Sequence, residues 1–279
     1  MKKILVTTDF STASKAGLRF AMQLASQVEA ELVFFHCFQA LIPLTVQHDR
    51  IEHSLEEQMT THQRKLDLFV AQMYQSTKVQ VGAHRCVVVE YLDPEHAIVD
   101  YAHKNGVQFI CMSTRGAGAI LKLIGTHTGN ILQRSVVPVL AIPHTYRTRP
   151  IERILYCTDL ENFDREMAVV AAFAETLKVK VDMAHFYFPG QISLDPETLG
   201  KMWQMKYPQL GQVYLEQSDL DLGFRGQLAR LAQKTKPSLV VFFTHPKKTW
   251  FDKLFGASLS ESFSFATKVP MLVYRKMGA

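Results

Sequence analysis

The sequence predicts two tandem α/β units, each a doubly wound parallel sheet with helices on both faces. Three observations carry this. Four landmarks recur in the same order in both halves, which marks an internal repeat. The strand-like landmarks are continuous apolar runs, the pattern of parallel strands buried on both faces. Between them the apolar period switches to three or four residues, the spacing of helices packed on such a sheet.

The first landmark is Ile4-Leu5-Val6-Thr7-Thr8-Asp9, matched by Ile154-Leu155-Tyr156-Cys157-Thr158-Asp159. Ala13, Ala16, Phe20, Leu24 and Val28 then predict a helix, with Ser11 as its N-cap. The second landmark is a strand ending in histidine, Glu31–His36 in one half and Lys180–His185 in the other. A longer helix at 47–75 follows from Ile51, Leu55, Met59, Leu66, Phe69 and Met73. Its histidines and glutamates read as an exposed polar face. Asp93-Pro94 is an N-cap followed by proline at the first helical position, and Asn105-Gly106 closes that helix.

The third landmark pairs Phe109–Thr114 with Leu239–Thr244. The fourth pairs Val137-Pro138-Val139-Leu140 with Val269-Pro270-Met271-Leu272. In the second half Met167, Val170, Ala174 and Leu177 predict one helix, and Leu222, Leu228, Leu231 and Ala232 another. The domains are placed at 1–145 and 151–279. The polar stretch His144–Pro150 between them is short, so the two units are expected to pack against each other.

With 279 residues the chain is long enough for two domains. Hydrophobic residues make up 47% and charged residues 20%, a composition that builds ordinary cores. No stretch approaches the ~18 apolar residues that cross a membrane, and none reads as a signal peptide. The cytoplasm is the expected location. The net charge of +5 is spread over both halves without a basic arm, which argues against nucleic acid. The four cysteines lie in apolar runs without C-x-x-C spacing and read as buried free thiols. The eleven histidines show no ligand spacing, so no metal site is assigned.

Ligands of doubly wound sheets bind beyond the carboxyl ends of the strands, at the switch point. Those ends are Thr7-Thr8-Asp9, His36-Cys37 and Met112-Ser113-Thr114. The last runs into Arg115-Gly116-Ala117-Gly118 and on to Gly125-Thr126-His127-Thr128, where a helix opens at Thr126–Arg134. A helix N-terminus offers free N–H groups and partial positive charge, which suits a phosphate. The same residues also suit a glycine-containing turn with a threonine N-cap, and the spacing alone leaves both readings open.

These landmarks together resemble the universal stress protein family, and the resemblance spans both halves. It implies a five-stranded parallel sheet per domain, of the adenine nucleotide alpha hydrolase-like kind. Some members bind ATP through G-x-x-G, nine residues, then G-[ST]. Here Ser113 stands in place of the first glycine, and eight residues separate Gly116 from Gly125. Thr7 replaces the usual proline before Thr8-Asp9. The resemblance assigns Thr8, Asp9 and Cys37 to the adenine and ribose end, and Met112 and Ser113 to the ribose. It assigns Gly116, Gly125, Thr126, His127 and Thr128 to the phosphates.

The implied cofactor is ATP or another adenine nucleotide, with magnesium, in the first domain only. In the second domain the loop from Thr244 through His245-Pro246 to Phe251, and on to Ser258, has no glycine pair. That domain is degenerate. The expected function is a stress-response or signalling protein whose nucleotide alters its interactions, a binder rather than an enzyme, with no catalytic residue assigned. The alternatives are a nucleotide-free assembly scaffold and a slow ATPase with His127 beside the phosphates. Expected partners are the two domains for each other, a second copy as homodimer, and an unidentified protein.

Overall fold

The computed structural model describes residues 2–41, 51–114, 126–188, 190, 195–244 and 268–276. The chain divides into two compact units, Met1–Thr148 and Arg149–Ala279.

Unit one contains β1 (Lys3–Thr7), α1 (Lys15–Val28), β2 (Glu31–Phe38), α2 (Ile51–Thr77) and β3 (His84–Glu90). It continues with α3 (Pro94–Lys104), β4 (Phe109–Ser113), α4 (Thr126–Arg134) and β5 (Val139–Ile142). Its strands lie in the order β3-β2-β1-β4-β5, with the four neighbouring pairs all parallel. The order reverses direction between β1 and β4, which puts the switch point there.

The alternation of side chains along a strand distributes the helices. On β2, Phe34 meets Tyr74 of α2, whereas Phe35 meets Tyr101 of α3. The core is apolar on both sides: Ile4, Leu5, Val6, Leu32, Val33, Ile110 and Leu140 are all buried.

Unit two contains β6 (Ile154–Cys157), α5 (Phe163–Leu177), β7 (Val181–Tyr187), α6 (Pro196–Lys206) and β8 (Leu210–Gln217). It continues with α7 (Gly223–Thr235), β9 (Leu239–Thr244) and β10 (Met271–Arg275). Its order, β10-β9-β6-β7-β8, is again parallel throughout and places β6 where unit one has β1.

Several local expectations hold. The Asp93 carboxylate accepts from the Glu95 and His96 amides at 3.0 and 3.2 Å with Pro94 at the first helical position. Gly106, at φ +62°, follows that helix in the left-handed region that glycine tolerates.

Others are corrected. Helix α1 begins at Lys15, after a turn, with Ser14 rather than Ser11 at its N-cap position. Ser11 serves that turn instead, its hydroxyl accepting from the Ser14 amide at 3.1 Å. Leu222 lies just before α7 and is exposed, whereas Leu228, Leu231 and Ala232 are buried. All four cysteines are free, but only Cys111 and Cys157 are buried; Cys37 and Cys86 are half-buried. The expected first residues of the long helix, 47–50, lie outside the described residues.

Candidate functional site

The turn after β1 is built by the side chains it carries. The Thr8 amide donates to the Phe35 carbonyl at 3.0 Å, which continues the ladder one residue past the strand. The buried Thr8 hydroxyl then accepts from the Phe10 amide at 3.0 Å and shares a hydrogen bond with the Ser14 hydroxyl at 2.9 Å. Asp9 is exposed, and its carboxylate accepts from the Ser11 amide at 3.0 Å. Phe10 pays for this tight geometry with a left-handed backbone, φ +62°, unusual for an aromatic residue.

His36, at the end of β2, stands behind this turn. Its Nδ1 lies 2.9 Å from the Thr8 carbonyl, which can only accept, so Nδ1 carries the proton. The Phe10 ring packs on the His36 ring at 4.2 Å. Cys37 points to the other side of the sheet, its thiol 3.6 Å from the Tyr91 carbonyl. Burial, with the Glu90 carboxylate adding to it, pushes this thiol up to about 11, so it stays protonated at neutral pH.

The end of β4 is tied to both helices beside it. Gly17 of α1 passes so close that a Cβ there would lie 3.2 Å from the Ser113 amide nitrogen. The Gly17 amide donates to the Ser113 hydroxyl at 2.9 Å, and that hydroxyl reaches the Ser14 carbonyl at 3.3 Å. Ser113, in the place of the family's glycine, thus turns its side chain to α1. On the opposite flank the buried Thr128 hydroxyl donates to the Ser113 carbonyl at 3.0 Å. This bond fixes the first turn of α4 at the end of β4. Met112 is buried within the strand.

His127 is exposed at the start of α4, and its Nδ1 lies 2.9 Å from the Glu95 carboxylate. Glu95 is buried in the first turn of α3 and also accepts from Asn130 at 2.8 Å. Arg134 stands 3.6 Å from its other oxygen. The pairing fixes the orientation of the imidazole and leaves Nε2 as its remaining ring nitrogen.

The structure therefore gathers Thr8, Asp9, Met112, Ser113, His127 and Thr128 around the ends of β1 and β4, with Cys37 on β2. Thr126 opens α4, while Gly116 and Gly125 lie outside the described residues. Among the described residues no group of three or more His, Cys, Asp or Glu could hold a metal ion. Sequence reasoning missed Glu95, Gly17 and His62. A glutamate in the first turn of a capped helix was the only local hint of the first.

Unit two repeats the turn almost bond for bond. Thr158 accepts from the Leu160 amide at 3.0 Å, Asp159 accepts from the Glu161 amide at 3.1 Å, and His185 Nδ1 meets the Thr158 carbonyl at 2.9 Å. Leu160 takes the same left-handed backbone, φ +67°. The surroundings differ. Lys276, its side chain 2% exposed, lies among Asp159, Glu161 and Glu166. Tyr156 donates to Glu166 at 2.5 Å. The glycine-free loop expected after Thr244 lies outside the described residues.

The universal stress protein family model matches residues 1–143. Universal stress protein YxiE of Bacillus subtilis (strain 168) is 26% identical over 145 residues, covering 50% of this chain and 97% of that protein. A universal stress protein from Archaeoglobus fulgidus DSM 4304 shares the fold, with a TM-score of 0.70 at 19% identity over 98% of this chain and 96% of its own. A Pseudomonas aeruginosa PAO1 protein described as functionally unknown gives 0.58 at 16%, over 99% and 92%. Together with the parallel β3-β2-β1-β4-β5 sheet and the Thr8-Asp9 turn at its switch point, the match shows that this chain belongs to the universal stress protein family.

Proposed function

We propose that this universal stress protein binds ATP or another adenine nucleotide in unit one and that binding alters a surface read by a partner. One observation supports this above others: Thr128 pins the N-terminus of α4 to the end of β4, beside the switch point where Asp9 projects. That arrangement offers helix amides to a phosphate and a carboxylate to a ribose or an adenine amine. The nucleotide carries magnesium on its own phosphates, and this chain's part is to orient it.

A nucleotide-free scaffold is the second reading. The hydroxyls of Thr8, Ser113 and Thr128 all bond within the protein, which favours it.

Calorimetric titration with ATP and magnesium, after removal of bound nucleotide, separates the two. One site per chain, weakened about tenfold or more in Asp9→Asn, supports the binder. Asparagine keeps the acceptor for the Ser11 amide and removes only the charge. No heat and no co-purifying nucleotide leave the scaffold.

A further inference from the structure

Behind the Asp9 turn lies an imidazole pair that joins α2 to the candidate site. His36 Nε2 and His62 Nδ1 are 3.0 Å apart, and the two rings are stacked at 5.0 Å between centroids. Phe38 stacks on His62 at 4.1 Å, and Phe10 packs tilted against His36 at 4.2 Å. Phe69 meets the far edge of Phe10 at 5.5 Å.

Proton bookkeeping fixes the tautomers. His36 gives its Nδ1 proton to the Thr8 carbonyl, so its Nε2 is a bare acceptor when the ring is neutral. His62 must then carry its proton on Nδ1. One added proton is accommodated: His36 becomes the donor through Nε2, and His62 moves its proton to its own Nε2. A second added proton would set two N–H groups against each other and break the contact. The pair therefore titrates as a unit rather than as two separate rings.

Among the described residues the charged groups facing it are few. Asp9 approaches from the turn after β1 and Lys65 from α2, with Lys65 also 4.4 Å above the Phe10 ring. Lys15 of α1 lies over Phe69 at 5.7 Å. Burial first, then for His36 its imidazole partner and Lys65, hold both rings below the ordinary histidine value. The Thr8 bond and Asp9 oppose this for His36. The neutral pair is thus the resting state near pH 7.

We propose that His62 is a positioning residue for the Asp9 turn, acting through His36 on Thr8 and Phe10, and that the second proton taken up by the pair, which breaks the imidazole contact, loosens this turn. The inference deepens the nucleotide reading, because the turn presents Asp9. It can be judged without nucleotide. Unit two supplies an internal control: His185 makes the same bond to Thr158, and among the described residues no second imidazole is bonded to it.

The test is ring-nitrogen NMR on the full chain. At pH 7.5 His62 is expected in the less common Nδ1–H tautomer. On titration to pH 5 the amides of Asp9, Phe10 and Ser11 should move with the imidazole pair. Those of Asp159, Leu160 and Glu161 should follow His185 alone. In His62→Phe the amides of the Asp9 turn should lose this response. ATP affinity in that variant should weaken about fivefold, the effect of one hydrogen bond. In His62→Gln, which restores a donor but no titrating group, affinity should return and the pH response should not. An Nε2–H tautomer for His62 at pH 7.5, or an unchanged Asp9-turn titration in His62→Phe, overturns the proposal. If wild type binds no ATP, the nucleotide reading falls while the tautomer still decides the role of His62.

Discussion

Lys276, just past the end of β10, grips both carboxylate oxygens of Asp159 at 2.5 and 2.6 Å. Asp159 occupies in unit two the position that Asp9 holds in unit one. Glu161 and Glu166 add two further carboxylates at 3.4 Å each. Burial alone would lower the lysine, but its bonds to Asp159 and the surrounding negative charge hold it above the ordinary value. The second unit thus keeps the strand-end aspartate and supplies its own cation to it.

Lys276→Ala should destabilise the protein by about 3–5 kcal/mol, because it leaves the buried Glu166 carboxylate, with Asp159 and Glu161 beside it, without a counter-charge. Glu166 is the most exposed to this loss in energetic terms. Burial already pushes its carboxyl up, and among the described residues one of its oxygens has no hydrogen-bond partner. Urea unfolding measures the loss, and an unchanged midpoint would refute the clasp.

Stability should fall as the pH drops below about 6.5, the unperturbed histidine value. His36, His62 and His185 are all held below that value, chiefly by burial. The unfolded chain therefore binds more protons than the folded one in this range, so stability rises with pH. Urea midpoints between pH 5 and 7.5 check the sign. His185→Phe should flatten part of the slope while lowering the plateau, since it also deletes the bond to Thr158.

Glu95→Ala should cost about 1–3 kcal/mol and loosen α4 from α3, because His127 and Asn130 lose their common acceptor. Glu95→Gln keeps one acceptor oxygen and should fall between. Hydrogen exchange read along α4 distinguishes the three proteins.

Gly17→Val should destabilise by about 1–3 kcal/mol, the usual range for overpacking. Its branched side chain would meet the Met112–Ser113 backbone, which already lies within 3.4 Å of where a Cβ would stand. A thermal melt, with the Ser113 amide shift as local reporter, tests both size and place.

Much of the fold was legible in the sequence. Val and Ile runs, the Asp93-Pro94 cap and the paired Thr-Asp strand ends are local signals, readable without knowing which segments they pack against. The strands β3 and β8 left no such mark. Both lie at the edge of their unit's strand order and carry mixed polar patterns, as His84-Arg85-Cys86 shows. Helix α6 was likewise missed, although Asp195-Pro196 repeats the Asp-Pro start of α3.

The candidate site was legible only where its residues carry a motif. Asp9, His127 and Thr128 could be named from the strand end and the helix start. Their partners could not, because Glu95 meets His127 across 32 residues of sequence and Lys276 meets Asp159 across 117. No periodicity encodes such pairings; the sheet order creates them. The Ser113 hydroxyl is the instructive case. Its position matched a motif glycine, but its bond to the Gly17 amide exists only because α1 crosses β4 closely.

The strand made first in each unit is the middle strand of its sheet, and this shapes how the chain can acquire its structure. β1 pairs with β2 after a short excursion, Ile4 with Leu32, but its other flank waits for β4, where Ile4 meets Phe109. Until that later segment arrives, one row of β1 amides and carbonyls has no partner. Such distant pairings slow folding and prolong the exposure of an apolar edge. A nascent chain halted between residues 40 and 105 should therefore be a half-sheet, and a good client for chaperones that shield unpaired strands.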